Sequence, residues 1–191
     1  MGGSDVTETD VVDLLRRQHE QVRELFFDVQ DRTGTDRRDA FERLVRLLAV
    51  HETAEEEIVH PLARRALPDG AELVDARLAE ERRAKELLAA LDGMDTDDPA
   101  FIAGLKDLRE AVVTHARAEE REEFPRIAAE FGEAERRALA AAVRLAEATA
   151  PTHPHPGSET PGRNLLLGPA ASVIDRTRDL IRDAMGKAGV R

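Results

Sequence analysis

Two stretches of the chain repeat the same arrangement of potential ligands. His51-Glu52-Thr53-Ala54-Glu55-Glu56 is matched by His115-Ala116-Arg117-Ala118-Glu119-Glu120, and a proline stands ten residues after each histidine, at Pro61 and Pro125. A histidine and a carboxylate four residues apart lie about 40° from each other on one helix face. Each stretch therefore aims an imidazole nitrogen and a carboxylate oxygen at the same point. Two such pairs make the donor set of a two-metal site, and imidazole with carboxylate suits iron, manganese or zinc.

Taken singly, His51 or His115 fits a satisfied core histidine, and runs such as Glu55-Glu56-Glu57 fit a solvated helix face. Position argues for the metal. Glu55 and Glu119 fall inside the apolar stripe of their helices, where an unpaired carboxylate costs roughly several kcal/mol unless it meets a cation or takes a proton. Glu52 lies about 100° around the helix from His51 and reaches the site from its edge; its counterpart, Ala116, cannot. A longer alignment, Arg23-Glu24-Leu25-Phe26 against Lys85-Glu86-Leu87-Leu88, sets His19 opposite Glu81. Each half thus joins one further ligand candidate to an H-x-x-x-E, which predicts two metal positions related by a pseudo-twofold axis. The candidate ligands are His19, His51, Glu52, Glu55, Glu81, His115 and Glu119. For Glu81 the alternative is a salt bridge to Lys85, one turn on. His60, about 180° from His51 on a regular helix, reads as peripheral, and His153 and His155 read as linker residues.

The elements that must hold these residues are helices. Apolar positions recur at i, i+3, i+4 and i+7 over about 9–32, 37–66, 70–91 and 99–131, with turn residues between them at Thr33-Gly34-Thr35-Asp36, Pro68-Asp69-Gly70 and Asp92-Gly93 to Asp98-Pro99. Short connections between long helices imply an all-α, up-down-up-down antiparallel four-helix bundle. Pro61 and Pro125 should kink or end their helices. An alanine-rich helix, about 133–149, packs onto the bundle. The domain spans 9–150; a Pro/Gly-rich linker follows over 151–168, then one amphipathic helix over 169–188 that docks on the bundle or meets a partner.

Composition narrows the function. The net charge of −11 opposes nucleic acid and anionic membrane surfaces as partners. With no cysteine, disulfides, thiolate zinc sites, iron–sulfur clusters and cysteine nucleophiles are excluded. Aromatics at 3% leave a core of Leu, Val and Ala, which suits packed helices. The start of the chain lacks the basic and apolar regions of a signal peptide, and no stretch is apolar enough to span a bilayer, so a cytoplasmic location is expected.

His19, His51-x-x-x-Glu55 and His115-x-x-x-Glu119 resemble the ligand motifs of the hemerythrin-like family, the HHE cation-binding domains, over roughly residues 9–150. The resemblance implies a bundle that holds two non-heme iron ions with oxo and carboxylate bridges. His19, His51 and His115 would be terminal nitrogen ligands, and Glu55 and Glu119 the bridging carboxylates. Oxygen-carrying members have H-x-x-x-H in the third helix, where this chain has Glu81-x-x-x-Lys85, and an aspartate five residues after the last histidine, where it has Glu120. A site poorer in histidine favours ferric iron over reversible oxygen binding. Two roles are expected from this. One is reaction with or binding of peroxide, oxygen or nitric oxide, including catalase-like turnover in oxidative stress, with Lys85 bonding an oxygen ligand or neutralising a glutamate. The other is an iron- or gas-sensing module without turnover. A helical interaction protein with incidental polar core residues is the third reading.

Overall fold

A computed structural model describes residues 10–148. The linker and the C-terminal helix expected at 151–188, with His153 and His155, lie outside the described residues. Elements run in the order α1 (Val11–Asp31), α2 (Gly34–Ala54), a π-turn (Glu55–Val59), α3 (His60–Ala66), α4 (Gly70–Leu91), α5 (Pro99–Ala118), a second π-turn (Glu119–Glu123), α6 (Phe124–Glu130) and α7 (Glu133–Glu147). Helix α2 continues through its π-turn into α3, and α5 through its own into α6. These two continuous rods join α1 and α4 as the four members of the bundle. Helix α1 packs on α2, α3 on α4, α4 on α5 and α5 back on α1, which closes the ring.

The helix boundaries follow from local chemistry. Asp10 caps α1 by accepting from the backbone N–H groups of Val12 and Asp13 at 3.0 and 3.2 Å, and its other oxygen accepts from Arg136 of α7 at 2.7 Å. Helix α2 starts three residues earlier than the turn residues imply. Gly34 takes a positive φ of 58°, and its N–H is held by both oxygens of Asp97 at 2.9 and 3.1 Å, so the turn shrinks to Arg32-Thr33. Arg37, buried at the same end, ties Val29 O and Thr96 O together.

The core comes in two apolar blocks. One gathers Leu15, Ala54, Ile58, Leu62, Val74, Phe124 and Ile127 under α7, which contributes Leu139 and Val143. The other gathers Val22, Phe26, Leu44, Leu48, Ala84, Leu88, Leu105 and Val112. On every long helix the residue types change between the blocks: His19 lies between Leu15 and Val22, His51 between Leu48 and Ala54, Glu81 between Val74 and Ala84, and His115 next to Val112. A belt of buried polar groups therefore crosses the bundle with apolar packing on both sides, which keeps water away from it and strengthens every electrostatic interaction inside it.

Neither proline ends its helix. A proline lacks the N–H that would bond the residue four back, and its ring crowds that carbonyl. In both rods the chain answers by widening one turn just upstream: the N–H of His60 reaches Glu55 O, and that of Phe124 reaches Glu119 O, five residues back in each case. Such a π-turn absorbs one extra residue, so everything beyond it is rotated by about 100° relative to a regular helix.

Candidate metal centre

The belt brings six of the seven candidate ligands into two groups. His19, His51, Glu55 and Glu119 each offer a donor atom within 4.8 Å of the others, and so do Glu55, Glu81 and His115. Glu55 belongs to both. Glu119 stands between the histidines of the two halves, its Oε2 3.3 Å from His19 Nε2 and 3.4 Å from His115 Nε2. His51 Nε2 lies 3.4 Å from Glu55 Oε1, the within-helix pair that the spacing predicts. Glu52 is buried but stands outside both groups, with one oxygen 3.8 Å from Lys85 Nζ.

Acceptors in an outer layer orient the three histidines. His19 Nδ1 bonds Glu120 Oε1 at 2.9 Å, His51 Nδ1 bonds Gln18 Oε1 at 2.9 Å and His115 Nδ1 bonds Glu80 Oε2 at 3.1 Å. Each ring thus spends its outer N–H on an acceptor and turns Nε2 towards Glu55 and Glu119, the arrangement that fixes tautomer and direction in metal-binding histidines. Gln18 donates onward to Glu147 near the end of α7, and Glu120 also accepts from Arg23 at 2.7 Å. Apart from Glu120, none of the acceptors behind the rings stands out in sequence, because each lies on a different helix from the ring it orients.

The inner atoms lack partners. Both oxygens of Glu55 and of Glu119, Glu81 Oε2, His19 Nε2 and His115 Nε2 are buried without a hydrogen bond. Buried polar atoms in native proteins are nearly always satisfied. Seven orphans converging on two points, all of them nitrogen or carboxylate oxygen and none an amide or hydroxyl, fit a pair of cations.

Without metal, protons and ion pairs carry the charge balance. Burial holds the Glu55 carboxyl well above the usual range, with the charges of Glu119 and Glu81 adding to it. Burial acts the same way on Glu119, but His115 and then His19 outweigh it and draw the group below the usual range. The His51 ring is pushed down to about 3 by burial and then by His19 beside it. His115 goes the other way, to about 9: burial opposes its protonation, but Glu119 and Glu80 prevail. Burial raises Glu52 to about 8 and Glu56 to about 7, in both cases against the pull of Lys85.

Two expectations change. His60 is not peripheral. In a regular helix it faces away from His51, but the π-turn removes about 100° and swings it inward, where it is 2% exposed and its Nε2 bonds Glu81 Oε1 at 2.5 Å. Lys85 does not pair with Glu81; it bonds Glu56 and approaches Glu52, and so neutralises glutamates on the neighbouring rod. Sequence reasoning also passed over Glu123, which is fully buried with both oxygens unpartnered and 3.8 Å from His60 Nδ1. Its signal was present in Pro125: with the π-turn included, Glu123 comes to within about 20° of His115 around the rod.

The belt also borders a cavity of about 20 Å³ between the centre and the second apolar block, lined by His19, His51, Glu52, His115, Ala84 and Val112. Its walls are almost wholly apolar.

Fold and site together define a class: a helical bundle whose buried belt of histidine and glutamate holds metal cations. The family model described as the hemerythrin HHE cation binding domain matches residues 10–127, and the chain belongs to that family. It is 29% identical over 121 residues to a DNA nickase of Nostoc sp.; the match covers 62% of this chain and 33% of that protein, so the chain spans about one third of the length of the curated relative. It superposes with a TM-score of 0.64 on the crystal structure of an HHE cation binding domain-containing protein from Mycobacterium kansasii. That match covers 88% of this chain and 99% of the other at 18% identity, and it shows the fold.

Proposed function

We propose that the centre holds two non-heme iron ions and that it binds or reacts with a small oxidant or gas, namely peroxide, oxygen or nitric oxide, with catalase-like removal of peroxide the first activity to assay. The observation that carries this is that Glu55 belongs to both groups while Glu119 of the first reaches His115 of the second, with all four of their oxygens unpartnered. One carboxylate in each half would bridge the metals, with His19, His51, His115 and Glu81 as the terminal ligands. Iron, when bound, supplies Lewis-acid polarisation and one-electron chemistry.

The chain's own residues set what reaches the site and how it is held. Apolar blocks on both sides exclude bulk water. The adjoining cavity, about 20 Å³, admits only a small ligand. Lys85 carries positive charge into the belt, where it bonds Glu56 and approaches Glu52. Nucleic acid, suggested by the name of the Nostoc relative, is opposed here by the net charge of −11.

A sensing module is the second reading, and the Gln18 bridge favours it. Gln18 links His51 directly to Glu147, the last residue of α7, so ordering of His51 by a metal would be felt at the end of α7.

Metal analysis and an absorption spectrum of protein purified without a histidine tag test the proposal. About two irons per chain with near-ultraviolet ferric bands are expected, and Glu55→Ala should lose both ions because its carboxylate serves both positions. No metal as purified and none after anaerobic reconstitution with ferrous ion would overturn it. Turnover of peroxide then separates the enzyme from the sensor.

A further inference from the structure

Three of the differences between the halves of the repeat fall on residues that stand against one another. In one half His19 stacks on Phe124, with 5.6 Å between ring centroids, and Phe124 shares an apolar block with Val59. The repeat aligns His19 with Glu81, Phe124 with His60 and Val59 with Glu123. Those three also form a row. Glu81 Oε1 accepts from His60 Nε2 at 2.5 Å, and His60 Nδ1 faces Glu123 Oε1 at 3.8 Å. All three are at most 2% exposed. A row of imidazole, phenyl and isopropyl in one half is therefore carboxylate, imidazole and carboxylate in the other. The second row completes a pattern. His19, His51 and His115 each turn one nitrogen outward to an acceptor on another helix, Glu120, Gln18 and Glu80. An ionised glutamate has only acceptor atoms, so the partner that orients Glu81 must be a donor. His60 supplies it.

We infer that His60 is a positioning residue for Glu81: it engages Oε1 so that Glu81 gives a single oxygen, Oε2, to the second metal position, and Glu123 steadies the ring from behind. This rests on the two-iron reading above. The two oxygens of Glu81 already differ, since Oε1 is bonded to His60 while Oε2 is buried without a partner. A carboxylate left free to turn can offer both oxygens to one ion, and the second oxygen would fill a position that a small oxidant or gas needs open. Groups that orient a ligand in this way contribute about 10- to 100-fold in metal affinity. The contact between Glu123 and His60 is too long for a hydrogen bond, so its hold on the ring is electrostatic and weaker than the bond to Glu81. Packing alone does not call for this row, because Phe124 and Val59 fill the same place in the other half and leave no side-chain polar atom to satisfy.

The experiment titrates the full-length, metal-stripped protein anaerobically with iron(II) against a competing ferrous chelator, which gives two stepwise affinities. Glu81→Ala marks the step that belongs to the second position. His60→Phe, which copies Phe124, should weaken that same step by about 10- to 100-fold and leave the other unchanged. His60→Gln keeps an N–H donor at the reach of Nε2 and should restore most of the affinity. In the Glu81→Ala background, His60→Phe should change neither step further, because nothing is left for it to position. His60→Phe/Glu123→Val reproduces the apolar pair of the other half and takes the place of the single variant where that does not fold. Two irons bound with unaltered affinities after His60→Phe, equal weakening of both steps, or no recovery with His60→Gln overturns the inference and leaves the two-iron reading intact. Fewer than two irons in the unaltered protein overturns both.

Discussion

Lys85→Met removes the one lysine that the polar belt contains among the described residues, and its cost should depend on pH in a way that a packing defect does not. Lys85 is 4% exposed and its ammonium serves Glu56 and Glu52, which are 6% exposed each. Methionine has nearly the same length, so little volume is lost. In the parent protein without metal, Glu56 titrates at about 7 and Glu52 at about 8, both raised by burial and held down from still higher values by Lys85. Without the lysine both carboxyls stay protonated further into the alkaline range. Below about pH 6 both proteins hold these groups largely neutral, and exchanging a buried ammonium for a thioether should cost only about 1 kcal/mol. Above pH 7 the signs separate. The variant's folded state retains protons that its unfolded state, with carboxyls near 4.5, has already released, so its stability keeps falling as pH rises, by about 1.4 kcal/mol per unit for each retained proton. Between about pH 7 and 8.5 Glu56 adds roughly 2 kcal/mol and Glu52 somewhat under 1. The total penalty at about pH 8.5 should thus approach 3–4 kcal/mol, within the range for breaking a buried ion pair. Urea titrations of chelator-treated protein at about pH 5.5, 7 and 8.5 measure it, with Lys85→Met/Glu56→Gln expected to recover part of the loss at the highest pH. A penalty of the same size at all three values would refute this account of Lys85.

Two further outcomes are expected. A Cβ on Gly70 would sit 2.2 Å from the backbone oxygen of Ala63, so Gly70→Ala must push α4 away from α3 and should cost about 3 kcal/mol. Gly93→Ala meets no atom within 4 Å and pays only for its φ of 75°, roughly 1–2 kcal/mol; thermal melts that rank the two the other way would refute this. For His115, a ring raised from 6.5 to about 9 contributes stability that is complete below pH 6.5 and lost as pH rises through 9. Without metal this amounts to on the order of 3 kcal/mol. The same proton must leave before the ring can ligate. The gap in melting temperature between metal-loaded and chelated protein should therefore widen from pH 6.5 to 9, and a constant gap would count against a protonated His115.

The amino-acid sequence by itself determined the helices and the pairing of His51 with Glu55 and of His115 with Glu119, because both depend on interactions within about one turn. It also carried His19 and Glu81, through a repeat that shows in local alignment. What only the tertiary structure decided is how the two halves differ. The phase of His60 and Glu123 depends on whether Pro61 and Pro125 end a helix or widen a turn, and packing around the belt settles that by favouring a continuous rod. The partner of Lys85 is on another rod, 29 residues away, so the shorter path to Glu81 along its own helix misled. The acceptors behind the histidines, Gln18, Glu120 and Glu80, depend on which helix faces which ring. A helix's own periodicity sets which side of it is buried, but only the assembled bundle sets what each buried group meets.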